Sequence, residues 1–210
     1  MSTWLLLATA LLWLTTVTMM IVKTPRSMMH LYRIQAVAEA GAAATLAIFG
    51  HHPWLWSVAS LIVIFKILII PGVVTRWLTP LADVYGANGP VGITTLLILA
   101  LVLSGGGILL GRLGGIPHPL PMGLIFAAMA VTFLHLSGRY EIWSLLWGIL
   151  SLETVTDVVA LTLGTGIPAV GEAAIALTGL GLAVALAYVA AEVRRIKHSL
   201  DVRDLEELIG

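Results

Sequence analysis

Apolar residues run along this chain in seven blocks, each close to the ~17–25 residues that carry a helix across a bilayer. They lie near Trp4–Val22, Leu31–Phe49, Trp54–Val74, Val91–Leu110, Leu120–Leu136, Ile142–Leu163 and Ala173–Ala191. The breaks between them carry turn chemistry: Lys23-Thr24-Pro25-Arg26, Gly50-His51-His52-Pro53, Asp83 to Pro90, Gly114 to Pro121, Ser137-Gly138-Arg139 and Gly164 to Gly171. The longest loop, Thr75–Pro90, is too polar and too rich in glycine and proline to span. The pattern predicts an all-α polytopic membrane protein of about seven transmembrane helices in a single membrane domain. Residues 1–75 form a first three-helix half, 76–115 a loop plus connecting helix, 116–193 a second three-helix half, and 194–210 a cytoplasmic tail.

Composition agrees: 59% of the 210 residues are hydrophobic, 10% are charged and the mean hydropathy is +1.02. A formal net charge of zero argues against a nucleic-acid partner. The absence of cysteine excludes disulfides, thiolate metal sites and iron–sulfur ligation. The six histidines (His30, His51, His52, His118, His135, His198) are scattered, and the adjacent His51-His52 pair reads as interfacial rather than metal-binding. No cofactor and no metal is expected. No basic residue precedes the first apolar run, so the N-terminus reads as a retained helix.

With the N-terminus outside, the cytoplasmic segments hold Lys23, Arg26, Arg33, Arg76, Arg139, Arg194, Arg195, Lys197 and Arg203, against Arg112 alone outside. That imbalance predicts an N-out, C-in topology with an odd number of spans. Trp4, Trp54 and Trp56 on one side, with Trp77 and Trp143 on the other, fit interfacial belts. Gly107-x-x-x-Gly111-x-x-x-Gly115 reads equally as a close-packing helix face or as a glycine-rich turn. In the tail, Ser199 or Asp201 caps a short helix with Leu205 and Leu208 on one side, either solvated or docking a neighbouring subunit.

Chemistry concentrates where charge and depth coincide. Glu153 and Asp157 stand four apart in the sixth apolar block, so a helix puts them on one face with Ser151 and Thr154 beside them. Ionisable groups at bilayer depth are costly and mark functional sites by default. The alternative is a pair of protonated acids hydrogen-bonded as packing glue. Apart from His135, the other deep ionisable residues are Glu39 and Lys66. Each stands eight residues from the cytoplasmic end of its block, about 12 Å at helical rise. An acid and a base at equal depth on neighbouring helices predict an ion pair. Glu153 is eleven residues from Ile142, about 16 Å in. A row of acids with one lysine near the midplane is what lateral proton transfer requires, because burial and charged neighbours adjust such groups strongly.

Glu39 is followed by Phe49-Gly50 and Pro53, as Glu153 is followed by Leu163-Gly164 and Pro168. A parallel duplication of a three-helix unit would explain this.

Gly148-Ile-Leu-Ser-Leu-Glu-Thr-Val-Thr-Asp-Val-Val-Ala-Leu resembles the glutamate-bearing second helix of the small K subunit of respiratory complex I. Glu192-Val-Arg-Arg-Ile-Lys-His-Ser-Leu-Asp-Val-Arg-Asp-Leu resembles that family's basic exit and tail. With Arg33-Ile-Gln35 and Phe65-Lys66-Ile-Leu-Ile-Ile-Pro71, the longer chain is similar to component E of hydrogenase-4 and formate hydrogenlyase-type complexes. The resemblance implies a non-catalytic subunit of a complex I-like nickel–iron hydrogenase in a prokaryotic inner membrane. Its partners would be antiporter-like membrane subunits and, indirectly, soluble redox subunits. By likeness, Glu153 takes the place of the K subunit's second-helix glutamate and Lys66 that of component E's membrane lysine. No motif of the family claims Asp157, which therefore ranks last among the proton-transfer candidates Glu153, Lys66, Glu39 and Asp157, since a hydrogen-bonded packing role would suffice for it. One departure is plain: Ala173 to Ala191 contains no acid where K subunits carry one, and Glu172 and Glu192 flank it. Lys66 takes the missing place if the duplication holds. Two other classes fit the residues, a stand-alone secondary transporter or cation antiporter and a purely structural membrane spacer.

Overall fold

The computed structural model describes residues 2–78, 92–115, 118–139, 141–163 and 169–197, and every element in them is a helix. They are α1 Ser2–Ile21, α2 Pro25–Phe49, a third rod, α5 Ile93–Leu113, α6 Pro119–Ser137, α7 Ile142–Thr162 and α8 Ala169–Lys197. The third rod is continuous but changes pitch: α3 Leu55–Ile62, a π-helical stretch Val63–Ile69, then α4 Ile70–Leu78. Six of these seven helices are long and apolar enough to cross a membrane, which makes the chain a multi-pass membrane protein by length and hydropathy. The exception is α2. Its 25 residues carry Arg26, Arg33 and Glu39, and it buries Gln35 and Glu39 while Ile34, Val37, Ile48 and Phe49 are exposed on its outer face.

α2 starts six residues earlier than the expected Leu31. Thr24 has extended dihedrals and its hydroxyl accepts the Ser27 N–H, while Pro25 occupies the first helical position, where no N–H is needed. The apolar pattern missed this turn because its residues are polar. With the start at Pro25, Glu39 lies fourteen residues into the helix, about 21 Å rather than 12 Å.

α2 is the hub, packed against α1, the third rod and α7. Outside it, α1 packs on α6, α6 on α5, and α8 on both the third rod and α7. Lys23, Arg26, Arg76 and Arg139 fall at one end, the basic end. There Met28, Met29, Tyr32, Trp143, Trp147 and Val74 share one apolar cluster with the last buried residues of α8. At the opposite end Ala43, Ala47, Leu55, Val58, Ile62 and Leu161 form another. Arg139 is not a free cytoplasmic charge: its guanidinium donates to the carbonyls of Met20 (2.6 Å) and Val22 (3.2 Å). It thereby satisfies orphan acceptors at the C-terminus of α1 and complements that helix end's negative pole.

Trp143 departs from the belt expected of it. It is buried with Trp147 among the helices, whereas Trp4, Trp54 and Trp56 are exposed as expected; the side chain of Trp77 lies outside the described residues. The helix start at Ile142 turns Trp143 inward, a facing that hydropathy alone does not give. The loop at 79–91, the Gly164-to-Pro168 segment and the tail with Ser199, Asp201, Leu205 and Leu208 also lie outside the described residues.

Both readings of the glycine pattern hold, at different positions. A Cβ on Gly107 would collide with the backbone of Ala127, and one on Gly111 with the backbones of Pro119 and Gly123. Gly123 returns the contact, its added Cβ meeting Ile108 Cα at 2.8 Å. Gly115 has open space around it and φ +60°, a turn glycine. Gly111→Val should therefore force α5 and α6 apart. Overpacking of this kind costs about 1–3 kcal/mol, so the variant should show a lowered melting temperature in detergent, while Gly105→Ala, with nothing near it, should match the parent.

Candidate functional site

Lys66 sits in the middle of the π-helical stretch, and the sequence supplies the reason for the stretch. Pro71 has no N–H to give the ladder and its ring crowds the preceding turn. The turn before it widens, so that the Ile70 N–H reaches back five residues to Phe65 O. The extra residue per turn shifts the facing of the rod. Ile64 and Leu68 point outward, and Lys66 is fully buried toward α2 and α7.

Three carboxyl groups surround the ammonium. Lys66 Nζ donates to Glu39 Oε1 (3.0 Å) and Oε2 (3.1 Å) from α2, and to Asp157 Oδ2 (2.5 Å) from α7. Glu153 Oε1, one turn earlier on α7, stands 3.7 Å away, within ion-pair range but beyond a hydrogen bond. The side chains of Lys66 and Glu39 are completely buried and that of Asp157 nearly so, while Glu153 keeps 17% of its side-chain surface. Glu153 is thus the member at the edge of the group, toward α8.

The four ionisable residues expected at depth come together, but not as a row. They form a knot with Lys66 at its centre. Asp157, ranked last of the four candidates, is the closest partner of the ammonium. Its position follows from helical arithmetic, since the face that presents Glu153 presents Asp157 four residues on.

Sequence reasoning overlooked the contribution of α8. It brings no acid to the site but brings room: a Cβ on Gly179 would stand 2.7 Å from Glu153 Oε2. The signal was available as a glycine opposite an acid in a helix otherwise rich in alanine, where Gly181, two residues on, faces open space. Tyr32 and Trp147 were also overlooked, and Gln35 entered only as part of the Arg33-Ile-Gln35 likeness. Tyr32 and Gln35 precede Glu39 on the same face of α2, and the Tyr32 and Trp147 rings meet at a centroid distance of 5.4 Å.

The charge balance decides what the arrangement can do. Three ionised carboxylates against one ammonium leave two excess negative charges in a low-dielectric interior, which is strongly unfavourable. Protons are the smallest remedy, and a lysine between acids lets them redistribute over a few ångströms. Among the described residues no group of histidines and acids is arranged to hold a metal ion. No protein-family profile, curated protein or solved structure matches the chain.

Removal of the ammonium leaves the acids facing one another. Lys66→Met should cost about 3–5 kcal/mol, the range for breaking a buried ion pair. Adding Asp157→Asn to Lys66→Met should restore part of the loss, as a double-mutant cycle in thermal denaturation would read. Simple addition of the two losses would contradict the knot as an interacting unit. Gly179→Ala should be milder, displacing the flexible Glu153 carboxyl group rather than backbone.

Proposed function

We propose that the chain is a non-catalytic membrane subunit of a complex I-like nickel–iron hydrogenase assembly of the hydrogenase-4 or formate hydrogenlyase type. It contributes a proton-transfer station between antiporter-like subunits and the membrane part nearer the redox arm. The observation that carries the reading is Lys66 held among Glu39, Asp157 and Glu153 inside the helix bundle. A lysine that only fixed helix register would need one acid. Three acids from two helices, Glu39 on α2 and Glu153 and Asp157 on α7, form a site whose total charge depends on how many protons it holds, and such a site passes protons on when its neighbours change charge.

In this reading α2 is the seventh span. Its deep polar residues, Gln35 and Glu39, are fully buried, so much of its lower hydropathy reflects groups that face protein rather than lipid. The basic end is cytoplasmic and the N-terminus external, in the inner membrane of a prokaryotic cell. The pairing of α1 with α6, α2 with α7 and the third rod with α8 supports a duplicated three-helix unit. Lys66 then answers for the acid that the last span lacks. Glu153, the most exposed member, is the natural exchange point with a neighbouring subunit.

The resemblance of the Glu153 and Lys66 segments to their counterparts in the K subunit and component E supports the same assignment. In the assembled complex, Glu153→Gln should abolish proton translocation, while subunit composition on purification and electron transfer at the redox arm stay unchanged. Full translocation by an intact Glu153→Gln complex would sink the proposal. So would purification of the parent chain alone, with no larger partners.

A further inference from the structure

Between the Lys66 knot and the basic end, α2 and α7 face each other with an unusual content. Both helices run in the same direction and pack together, and two contacts fix their alignment. Near the basic end the Tyr32 and Trp147 rings meet, and deeper in Lys66 joins Glu39 to Asp157. Tyr32, Gln35 and Glu39 lie on one stripe of α2, spaced three and four apart. Trp147, Ser151 and Thr154 lie on one stripe of α7 at the same spacing.

All five of the uncharged residues on these stripes are fully or almost fully buried. Each also carries a polar atom with no hydrogen-bond partner in the protein: Tyr32 Oη, Gln35 Oε1, Trp147 Nε1, Ser151 Oγ and Thr154 Oγ1. Gln35 spends its amide nitrogen on Thr16 Oγ1 at 3.0 Å and leaves its oxygen unmatched. Serines and threonines elsewhere in the bundle behave differently. The hydroxyls of Thr9, Thr16, Thr132 and Thr162 all return to a carbonyl of their own helix. Buried polar atoms in native proteins are nearly always paired with protein or ordered water, so five on two facing stripes supply the donors and acceptors that a file of internal water would need.

The opposite side of the knot is built otherwise. Ala43 and Ala47 of α2, Leu55 and Val58 of α3, and Leu161 of α7 share an apolar cluster. The hydroxyls of Thr45 and Thr162 in that half are satisfied by Gly41 O and Val158 O. Between Lys66 and the Tyr32–Trp147 ring pair the facing stripes therefore carry unmatched polar atoms, whereas on the far side methyl and methylene groups begin directly beyond the knot.

We propose that the facing stripes of α2 and α7 form a narrow water-bearing track that connects the Lys66 knot to the basic end alone. The Tyr32–Trp147 ring pair, buried with Met28, Met29 and Trp143, closes the track as a gate toward the basic end, and the apolar cluster around Val58 seals the far side. The proposal rests on the proton-transfer reading for its purpose, and on the unmatched polar atoms for its path. Protons travelling along the track pass between water, hydroxyl groups and the carboxyl groups of the knot, with no bond to carbon made or broken.

The natural chain contains no cysteine, which permits a test without removing any residue first. Ser151→Cys, Thr154→Cys, Ala43→Cys and Val58→Cys would be placed singly in the full chain, within its native membrane, in vesicles of either orientation. Ag⁺, small, membrane-impermeant and thiolate-seeking, is added from one face. Thiols left unreacted are then counted with a maleimide after denaturation. Ag⁺ from the basic face should block positions 151 and 154 on the order of tenfold faster than positions 43 and 58, since buried dry thiols are inert. Equal rates at all four positions would overturn the track, as would faster blocking of 151 and 154 from the opposite face. The two sites 151 and 154 are independent, so poor folding of one variant leaves the other to decide. Blocking by Ag⁺ needs no turnover, so a Glu153→Gln complex that still translocates would defeat the function proposed above while this pattern of reactivity stood.

Discussion

A single ammonium group coordinates the interior of this bundle. Lys66 cannot be buried at mid-helix without carboxyl oxygens within a few ångströms, and no one helix can deliver enough of them around one point. Glu39 must come from α2, Asp157 and Glu153 from α7, and α8 must stay thin at Gly179 to leave the Glu153 carboxyl group its place. The close approach of these four elements is therefore dictated electrostatically as much as by packing. Elsewhere the bundle relies on small residues, as where Gly107, Gly111 and Gly123 let α5 and α6 nearly touch backbone to backbone. Such contacts suit a solvent in which apolar association between helices gains little from hydrophobicity.

The same electrostatic constraint explains the irregular third rod. A regular α-helix through residues 55–78 would keep its ladder only by violating Pro71, and would aim position 66 elsewhere. The π-helical stretch resolves both problems at once, absorbing the proline and turning the lysine inward. Irregular helical pitch of this kind is tolerated inside a membrane only where protein or water covers it. Here the stretch packs against α2 and α8. The cost in backbone geometry, at Val63–Ile69, and the excess of negative charge, on Glu39, Glu153 and Asp157, meet at Lys66, a combination that the proposed proton-transfer role would explain.

Much of this was legible in the residues. Seven apolar blocks placed all seven helices, because hydropathy over twenty residues is a strong signal when the solvent is lipid. Similar depth on neighbouring helices was enough to pair Glu39 with Lys66, although both lie deeper than the apolar blocks implied, because α2 starts at Pro25 and α4 runs to Leu78. What escaped were features set by facing rather than by depth. Asp157 was underrated because its partner Lys66 turns toward it only through the change of pitch, and no hydrophobic period reports a π turn. Trp143 was placed at the interface on its position near a helix end, although its side points inward. The polar first turn of α2 was read as a break, since Thr24 and Pro25 are loop residues as often as they are a helix start. Gly179 could not be singled out until an acid was seen across from it.

The central claim is that the carboxyl groups around Lys66 exchange protons while the complex works. Infrared difference spectroscopy of the assembled complex, triggered into turnover in a hydrated membrane film, addresses it directly. The account predicts a protonated-carboxyl C=O band that appears or shifts on turnover, moves in ²H₂O, and is altered when Glu39, Glu153 or Asp157 is replaced by its amide. A turnover spectrum with no carboxyl band sensitive to any of the three replacements would contradict it, and would leave the knot as a fixed strut between helices.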